Sequence, residues 1–131
     1  MSLPAGFEPH FKKSSMTDPW EPIYSQKLAD RVQIGLVATA QHTNSRGFVH
    51  GGLITSLADN AMGLSCAVQY PEPRNILTMS LSVDFVSVAE TGQWLLFDTE
   101  FSKIGGSVCF AQCFVTSDET IVARASGVFK S

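Results

Sequence analysis

The segment from Gly51 to Gln69 constrains the fold of this chain more than any other. It contains no proline, is rich in leucine, alanine and methionine, and is followed by Tyr70 and Pro71, so it predicts one long helix. Apolar residues cover a wide arc of this helix and predict that it is buried; they are Leu53, Ile54, Leu57, Ala58, Ala61, Met62, Leu64 and Val68. The remaining stripe is narrow and small or polar, with Asp59 as its only carboxylate. We therefore expect a single helix covered by a sheet.

Strand patterns flank this helix on both sides. Arg31 to Ala40 precedes it and Leu77 to Phe85 follows it, each with apolar residues at every second position. Turn signals then separate three further strands, which are Gln93 to Lys103, Ser107 to Thr116 and Thr120 to Phe129. Short turns predict an antiparallel meander. The predicted fold class is α+β, with one antiparallel sheet curled around one central helix.

Length and composition limit the classes of function. The 131 residues predict one domain, with residues 1–22 as an N-terminal extension that has no signal-peptide pattern. Polar residues interrupt the longest apolar stretch, so we expect no membrane span. A net charge of −3 without a basic stripe favours neither a nucleic-acid nor a membrane partner. Three cysteines, an odd number, favour a reducing, cytoplasmic location.

The chemistry is expected where the chain enters the helix. Gly51 and Gly52 follow His50, and two glycines at a helix start leave backbone amides free to bind an oxyanion. Asp59 lies two turns further on, and a carboxylate in an apolar helix is costly unless it is hydrogen-bonded or functional. Taken alone, such an aspartate is more often a local hydrogen-bond partner. Gly51 and Asp59 are separated by about 12 Å along a helix, so the two residues of one chain cannot act on the same carbonyl. They could do so if two chains paired with these helices antiparallel, because Gly51 of one chain would then approach Asp59 of the other.

This region resembles a known family. The pattern Asn44-x-x-Gly47-x-x-His50-Gly51-Gly52, followed by Leu57-Ala58-Asp59, is similar to that of the hotdog-fold thioesterases of the phenylacetic-acid-degradation type. The strand order fits the same family over almost the whole chain after about residue 25. The resemblance implies a hotdog fold and hydrolysis of an acyl-coenzyme A thioester by a homodimer or, as we expect, a homotetramer.

The resemblance also implies roles for individual residues. The amide of Gly51 or Gly52 would polarise the thioester carbonyl, while Asn44 and His50 shape that side of the site. Asp59 of the partner chain would act as general base on water or as nucleophile, and we favour the base. A hydroxyl on the strand after the helix, assigned to Thr78, would hold the attacking water; a surface threonine is the alternative. No cofactor is expected other than the coenzyme A of the substrate.

Further residues are assigned to substrate binding or to no site. Gly47, Gly52, Phe48 and Met62 are expected to bind substrate, with Leu64 and Phe85 as further candidates for the acyl pocket. Gly105 and Gly106 form a hairpin turn that is expected near the coenzyme A arm. For Arg46 and Arg74, a solvated side chain is the simpler explanation than a contact with phosphate. No metal site is expected, since Cys109 and Cys113 fit small buried side chains. We expect exposed or locally bonded side chains at His10 and His42.

Two other functions remain open from the residues. A hotdog dehydratase or hydratase pairs a histidine with an acid, and the sequence around His50 does not match that pattern. A non-catalytic acyl-coenzyme A binding module would keep the scaffold but not need Asp59. Fold resemblance alone does not decide among these functions.

Overall fold

A computed structural model describes residues 3–131 as one α-helix packed against one antiparallel sheet of seven strands. The helix, α1, runs over Gly51–Ala67. The strands in chain order are β1 (Glu8–Pro9), β2 (Tyr24–Lys27), β3 (Val32–Val37), β4 (Leu77–Phe85), β5 (Trp94–Ile104), β6 (Val108–Ser117) and β7 (Thr120–Lys130). The predicted α+β hotdog arrangement is confirmed. The helix and the five predicted strands are also found, most of them within one or two residues of the predicted ends.

The inner face of the sheet and the buried face of α1 form one hydrophobic core. Leu57, Ala61 and Met62 of the helix are almost fully buried against Phe97 and Phe129 of the sheet. Each large apolar side chain buried in this way contributes about 1.5–3 kcal/mol. Ser65 is the polar member of this face, and its hydroxyl accepts a hydrogen bond from the Val32 amide at 3.1 Å, which ties the helix to β3.

The order of the strands differs from the predicted meander at one place. The order in the sheet is β1-β2-β3-β5-β6-β7-β4, so β4 pairs with β7 and lies at the edge instead of beside β5. The link from β4 to β5 crosses the start of α1, where the Val49 amide donates to the Ala89 carbonyl at 2.8 Å. Only β5, β6 and β7 form the expected hairpins, because that eight-residue link is too long to be a tight turn.

The N-terminal segment is folded onto the domain over its described part. The two-residue strand β1 pairs with β2, which in turn pairs with β3, and neither β1 nor β2 was predicted. His10 and Thr17, which lie between β1 and β2, are buried. Residues 1 and 2 of the predicted extension lie outside the described residues.

The cysteines correct one expectation. Cys109 and Cys113 are buried as predicted, and Cys66 is buried as well, but Cys66 of α1 and Cys109 of β6 form a disulfide across 43 residues, with their Cα atoms 6.4 Å apart. Only Cys113 is a small buried thiol, and burial raises its pKa to about 12. The three cysteines therefore form one disulfide and leave one free thiol.

Candidate active site

The loop before the helix is shaped by Asn44. Its side-chain oxygen accepts hydrogen bonds from the amides of Arg46 at 2.9 Å and Phe48 at 3.2 Å. Gly47 has a φ of +82°, a conformation that side chains disfavour, which explains the glycine of the motif at this turn. Asn44 thus holds the loop in the shape that leads into α1.

His50 is the N-cap of the helix. Its Nδ1 accepts a hydrogen bond from the Gly52 amide at 2.7 Å, so the Gly52 amide is already occupied. The Gly51 amide has no hydrogen-bond acceptor among residues 3–131. Because the helix dipole adds partial positive charge at this end, the Gly51 amide is the one suited to bind an oxyanion. Phe85, at the end of β4, lies against Gly51, since a Cβ atom at Gly51 would be 3.2 Å from its Cζ.

Asp59 and Thr78 are brought together in the middle of the helix. The Thr78 hydroxyl donates to Oδ1 of Asp59 at 2.6 Å, a short hydrogen bond to a charged group. Asp59 is half-buried and Thr78 is exposed. The Thr78 proton is engaged by Asp59, so this hydroxyl fixes the carboxylate, and Oδ2 of Asp59 makes no hydrogen bond within residues 3–131.

A cleft of about 460 Å³ opens beside Asp59. Its floor is the small-residue stripe of α1 at Asn60, Gly63 and Ala67, and one wall is the start of β4 with Thr78. The N-terminal segment also lines the cleft, with His10, Lys12, Lys13, Ser14 and Thr17. Arg74 also lines this cleft. The sequence did not point to the N-terminal lining residues, because an extension with mixed polar residues carries no motif.

The remaining predicted residues lie in several places. Met62 does not face the cleft, because it is fully buried in the core. Phe48 is half-buried and forms an isolated bridge with Glu90 beside the helix start. Gly105 and Gly106 lie at the hairpin between β5 and β6, and their carbonyls accept hydrogen bonds from Tyr70 Oη at 2.8 Å and Arg74 Nη1 at 2.9 Å, respectively.

The other two histidines differ from each other. His42 is buried and locally bonded, with Nδ1 accepting from the Thr39 amide at 2.9 Å and Nε2 2.8 Å from the Trp20 carbonyl. His10 is buried and not exposed, and it lines the cleft beside Asp59. Asn60, Lys12 and Lys13 are further cleft residues that sequence reasoning missed.

Each chain therefore carries two halves of a possible site at two places on one helix. The Gly51 amide and the Asp59 carboxylate are eight residues, or about 12 Å, apart. No group of three or more histidine, cysteine, aspartate or glutamate side chains is arranged to hold a metal ion in residues 3–131. In the same part of the chain, no helix is long and apolar enough to cross a membrane.

Most of the chain matches a known protein family. Residues 46–123 match the family model described as "Thioesterase superfamily", and this match includes both halves of the site from Gly51 to Thr78. The chain belongs to the thioesterase superfamily. Accordingly, the protein is a thioester hydrolase, as the resemblance implied.

Individual relatives support this family assignment. The chain is 37% identical over 130 residues to "Putative esterase PA0474" of Pseudomonas aeruginosa, covering 98% of this chain and 97% of that protein. It is 28% identical over 89 residues to "Acyl-coenzyme A thioesterase 13" of Mus musculus, covering 66% and 61%. A mutant of the phenylacetic acid degradation protein PaaI from Thermus thermophilus has the same fold, with a TM-score of 0.71, 20% identity and coverage of 82% and 91%.

Proposed function

We propose that this thioesterase hydrolyses acyl-coenzyme A thioesters to free acid and coenzyme A, with Asp59 as general base. The observation that carries the proposal is the hydrogen bond from Thr78 to Oδ1 of Asp59 at the side of an open cleft. The bond orients the carboxylate and leaves Oδ2 available to a water molecule. The name of the mouse relative, an acyl-coenzyme A thioesterase, supports this substrate class.

The reaction follows from these groups. Oδ2 of Asp59 takes a proton from water as the water oxygen attacks the thioester carbonyl. The Gly51 amide of the partner chain donates to the resulting oxyanion. When the tetrahedral intermediate collapses, the carbon–sulfur bond breaks and the proton held by Asp59 passes to the departing thiolate. The reaction needs no cofactor beyond the coenzyme A of the substrate.

The edge strand β4 supports a homodimer with a shared site. Leu77 and Met79 are 69% and 60% exposed, and one side of β4 pairs with no strand of the described chain. Such an open apolar edge is a template for another strand. Thr78 lies beside Asp59, and Phe85 lies beside Gly51. Antiparallel pairing of two β4 strands around a two-fold axis near Leu81 would therefore bring Asp59 of one protomer to Gly51 of its partner.

The first test measures thiol release from a panel of aryl and straight-chain acyl-coenzyme A esters. We expect Asp59→Asn to lower kcat by about a thousandfold without unfolding the protein, because the amide cannot accept the proton from water. Unchanged turnover in this variant would overturn the role of Asp59. Hydration of an enoyl thioester without thiol release would instead indicate a dehydratase. Tight binding without any reaction would indicate a binding module.

The second test asks whether the site is shared. Gly51→Pro removes the amide proton at a helix position that accepts proline, while Gly51→Ala adds the same Cβ and keeps the amide. We expect the proline variant alone to be nearly inactive and the alanine variant to be active. Co-refolding Gly51→Pro with Asp59→Asn should restore about a quarter of wild-type activity, because half of the dimers then contain one intact site of two. No recovery in the mixture would contradict the shared site.

Assembly beyond the dimer and location are also predictions. We expect a homotetramer of two dimers, which light scattering after size-exclusion chromatography would measure. A cytoplasmic location fits a coenzyme A ester as substrate, and fractionation of cells that produce the protein would test it.

A further inference from the structure

The N-terminal segment at residues 10–17 is an ordered wall of the cleft. Strand β1 anchors it at one end, and the His10 amide donates to the Ile23 carbonyl at 2.9 Å. At the other end, the Ser14 carbonyl accepts a hydrogen bond from the Asp18 amide at 2.9 Å. The segment therefore places its side chains over the helix stripe that carries Asp59.

His10 is the buried polar group of this wall. Its side chain is 5% exposed, and Nδ1 has no hydrogen-bond partner among residues 3–131. A buried nitrogen without a partner costs free energy unless something else bonds to it. Burial lowers the pKa of His10, so the imidazole is neutral at neutral pH and offers one donor and one acceptor.

The charges lining the cleft are mainly positive, although the chain is acidic overall. Lys12, Lys13 and Arg74 line the cleft, and Asp59 is the one acid there. Lys13 is paired with Glu21 at 3.1 Å, but neither Lys12 nor Arg74 forms an ion pair within residues 3–131. Arg74 donates instead to the Gly106 carbonyl and, at 3.0 Å, to the Ser131 hydroxyl. Lys12 and Arg74 thus lack a carboxylate partner within residues 3–131 and outnumber the one acid of the cleft, Asp59.

The walls of the cleft combine apolar and polar side chains. From Asp59 the cleft follows α1 past Gly63 to Ala67, about 12 Å along the helix. Ile76 and Phe129 line the same cleft. A short hydrocarbon chain fits beside these apolar side chains, and a hydrogen-bond acceptor with negative charge fits the cations that line the same cleft.

We propose that this cleft holds the acyl group of the substrate and that the enzyme prefers acyl groups that end in a carboxylate, bound by His10, Lys12 and Arg74. This inference rests on the proposed function. The phosphates of coenzyme A are the other anionic groups of such a substrate, and the experiment has to separate these two sources of negative charge.

The test compares adipoyl-coenzyme A with hexanoyl-coenzyme A, whose acyl chains have the same length and differ in the terminal carboxylate. We expect the wild-type kcat/KM to be at least about tenfold higher for adipoyl-coenzyme A, the effect of one hydrogen bond to a charged group. His10→Phe and Lys12→Gln should each lower this ratio about threefold or more, because each should slow the adipoyl ester more than the hexanoyl ester. His10→Asn, which keeps a polar group near the Nδ1 position, should retain more of the ratio.

Lys103→Gln is the matched control, because Lys103 is an exposed lysine that does not line the cleft. We expect it to leave the ratio unchanged. The inference would be overturned by a wild-type ratio near one, or by a ratio that His10→Phe and Lys12→Gln do not alter. If hexanoyl-coenzyme A is still hydrolysed in that case, the proposed function stands.

The coenzyme phosphates are tested with N-acetylcysteamine thioesters, which lack them. If Lys12→Gln slows both coenzyme A esters equally and neither N-acetylcysteamine ester, the cations bind coenzyme phosphate and the carboxylate preference is wrong. Failure of the wild type to hydrolyse any of these thioesters would overturn the proposed function itself.

Discussion

The two halves of the site on α1 are built in different ways. At the helix start, the side-chain hydrogen bonds that shape the site join close neighbours, from Asn44 to Phe48 and from His50 to Gly52. At Asp59, the partner is Thr78, 19 residues later, and the cleft is also lined by His10, far earlier in the chain. The oxyanion half is therefore a local structure, and the carboxylate half is assembled by the tertiary fold.

This difference predicts how each half responds to mutation. A substitution in the local half changes a loop and its helix cap, so it acts on both stability and catalysis. A substitution at the carboxylate half removes one contact between a strand and a helix that the core already holds together. Its effect should appear mainly in turnover.

The largest effect among the variants that probe this comparison is expected for Thr78→Val. Valine has nearly the same shape but cannot donate to Asp59, so the carboxylate loses its orientation. We expect kcat to fall by about tenfold to a hundredfold, the worth of one hydrogen bond to a charged group, while the free energy of unfolding changes little. Steady-state kinetics and urea unfolding measure the two quantities.

Thr78→Ser is the control for this prediction, because serine keeps the hydroxyl. It should retain most of the activity. If valine and serine behave alike, the bond from Thr78 does not orient Asp59, and the carboxylate half is less dependent on its strand than we infer.

A smaller and more mixed effect is expected for Asn44→Ala. The loop loses two hydrogen bonds, so the free energy of unfolding should fall by about 1–2 kcal/mol. The activity should fall with it, because the loop sets the start of the helix. Asn44→Asp keeps the accepting oxygen and should be close to wild type in a urea titration. Loss of activity in Asn44→Ala without loss of stability would indicate that Asn44 contacts substrate directly.

The smallest effect concerns the pH dependence of stability at His10. Burial lowers its pKa below the ordinary value of 6.5, against an opposing effect of the Glu21 carboxylate and with a smaller contribution from Lys13. Below pH 6.5 the unfolded chain therefore binds more protons at His10 than the folded chain, so stability falls as the pH is lowered. His10→Asn should have a flatter dependence than the wild type in urea titrations between neutral pH and pH 5. Equal slopes would show that the cleft wall does not keep His10 neutral.

Much of the fold followed from local patterns. One helix is indicated by the proline-free run from Gly51, and one strand by the alternating apolar residues in Leu77 to Phe85. The bounds of both elements were therefore predicted closely. Strand β2, with the sequence Tyr24 to Lys27, is short and half polar, and β1 has only two residues, so neither has a readable period. Strand β2 exists because β3 offers it an edge to pair with, and β2 in turn offers an edge to β1.

The sequence alone determined the helix, the strands that follow it and the motif from Asn44 to Asp59, because each depends on residue types at short spacing. The candidacy of Thr78 came from the family resemblance. Only the tertiary structure decided that β4 lies at an edge, that Cys66 pairs with Cys109, that Met62 is in the core, and that His10 and Lys12 line one cleft with Asp59. These features join residues far apart in the chain. Local preferences carry no information about such pairs, since burial and packing of the whole domain select them.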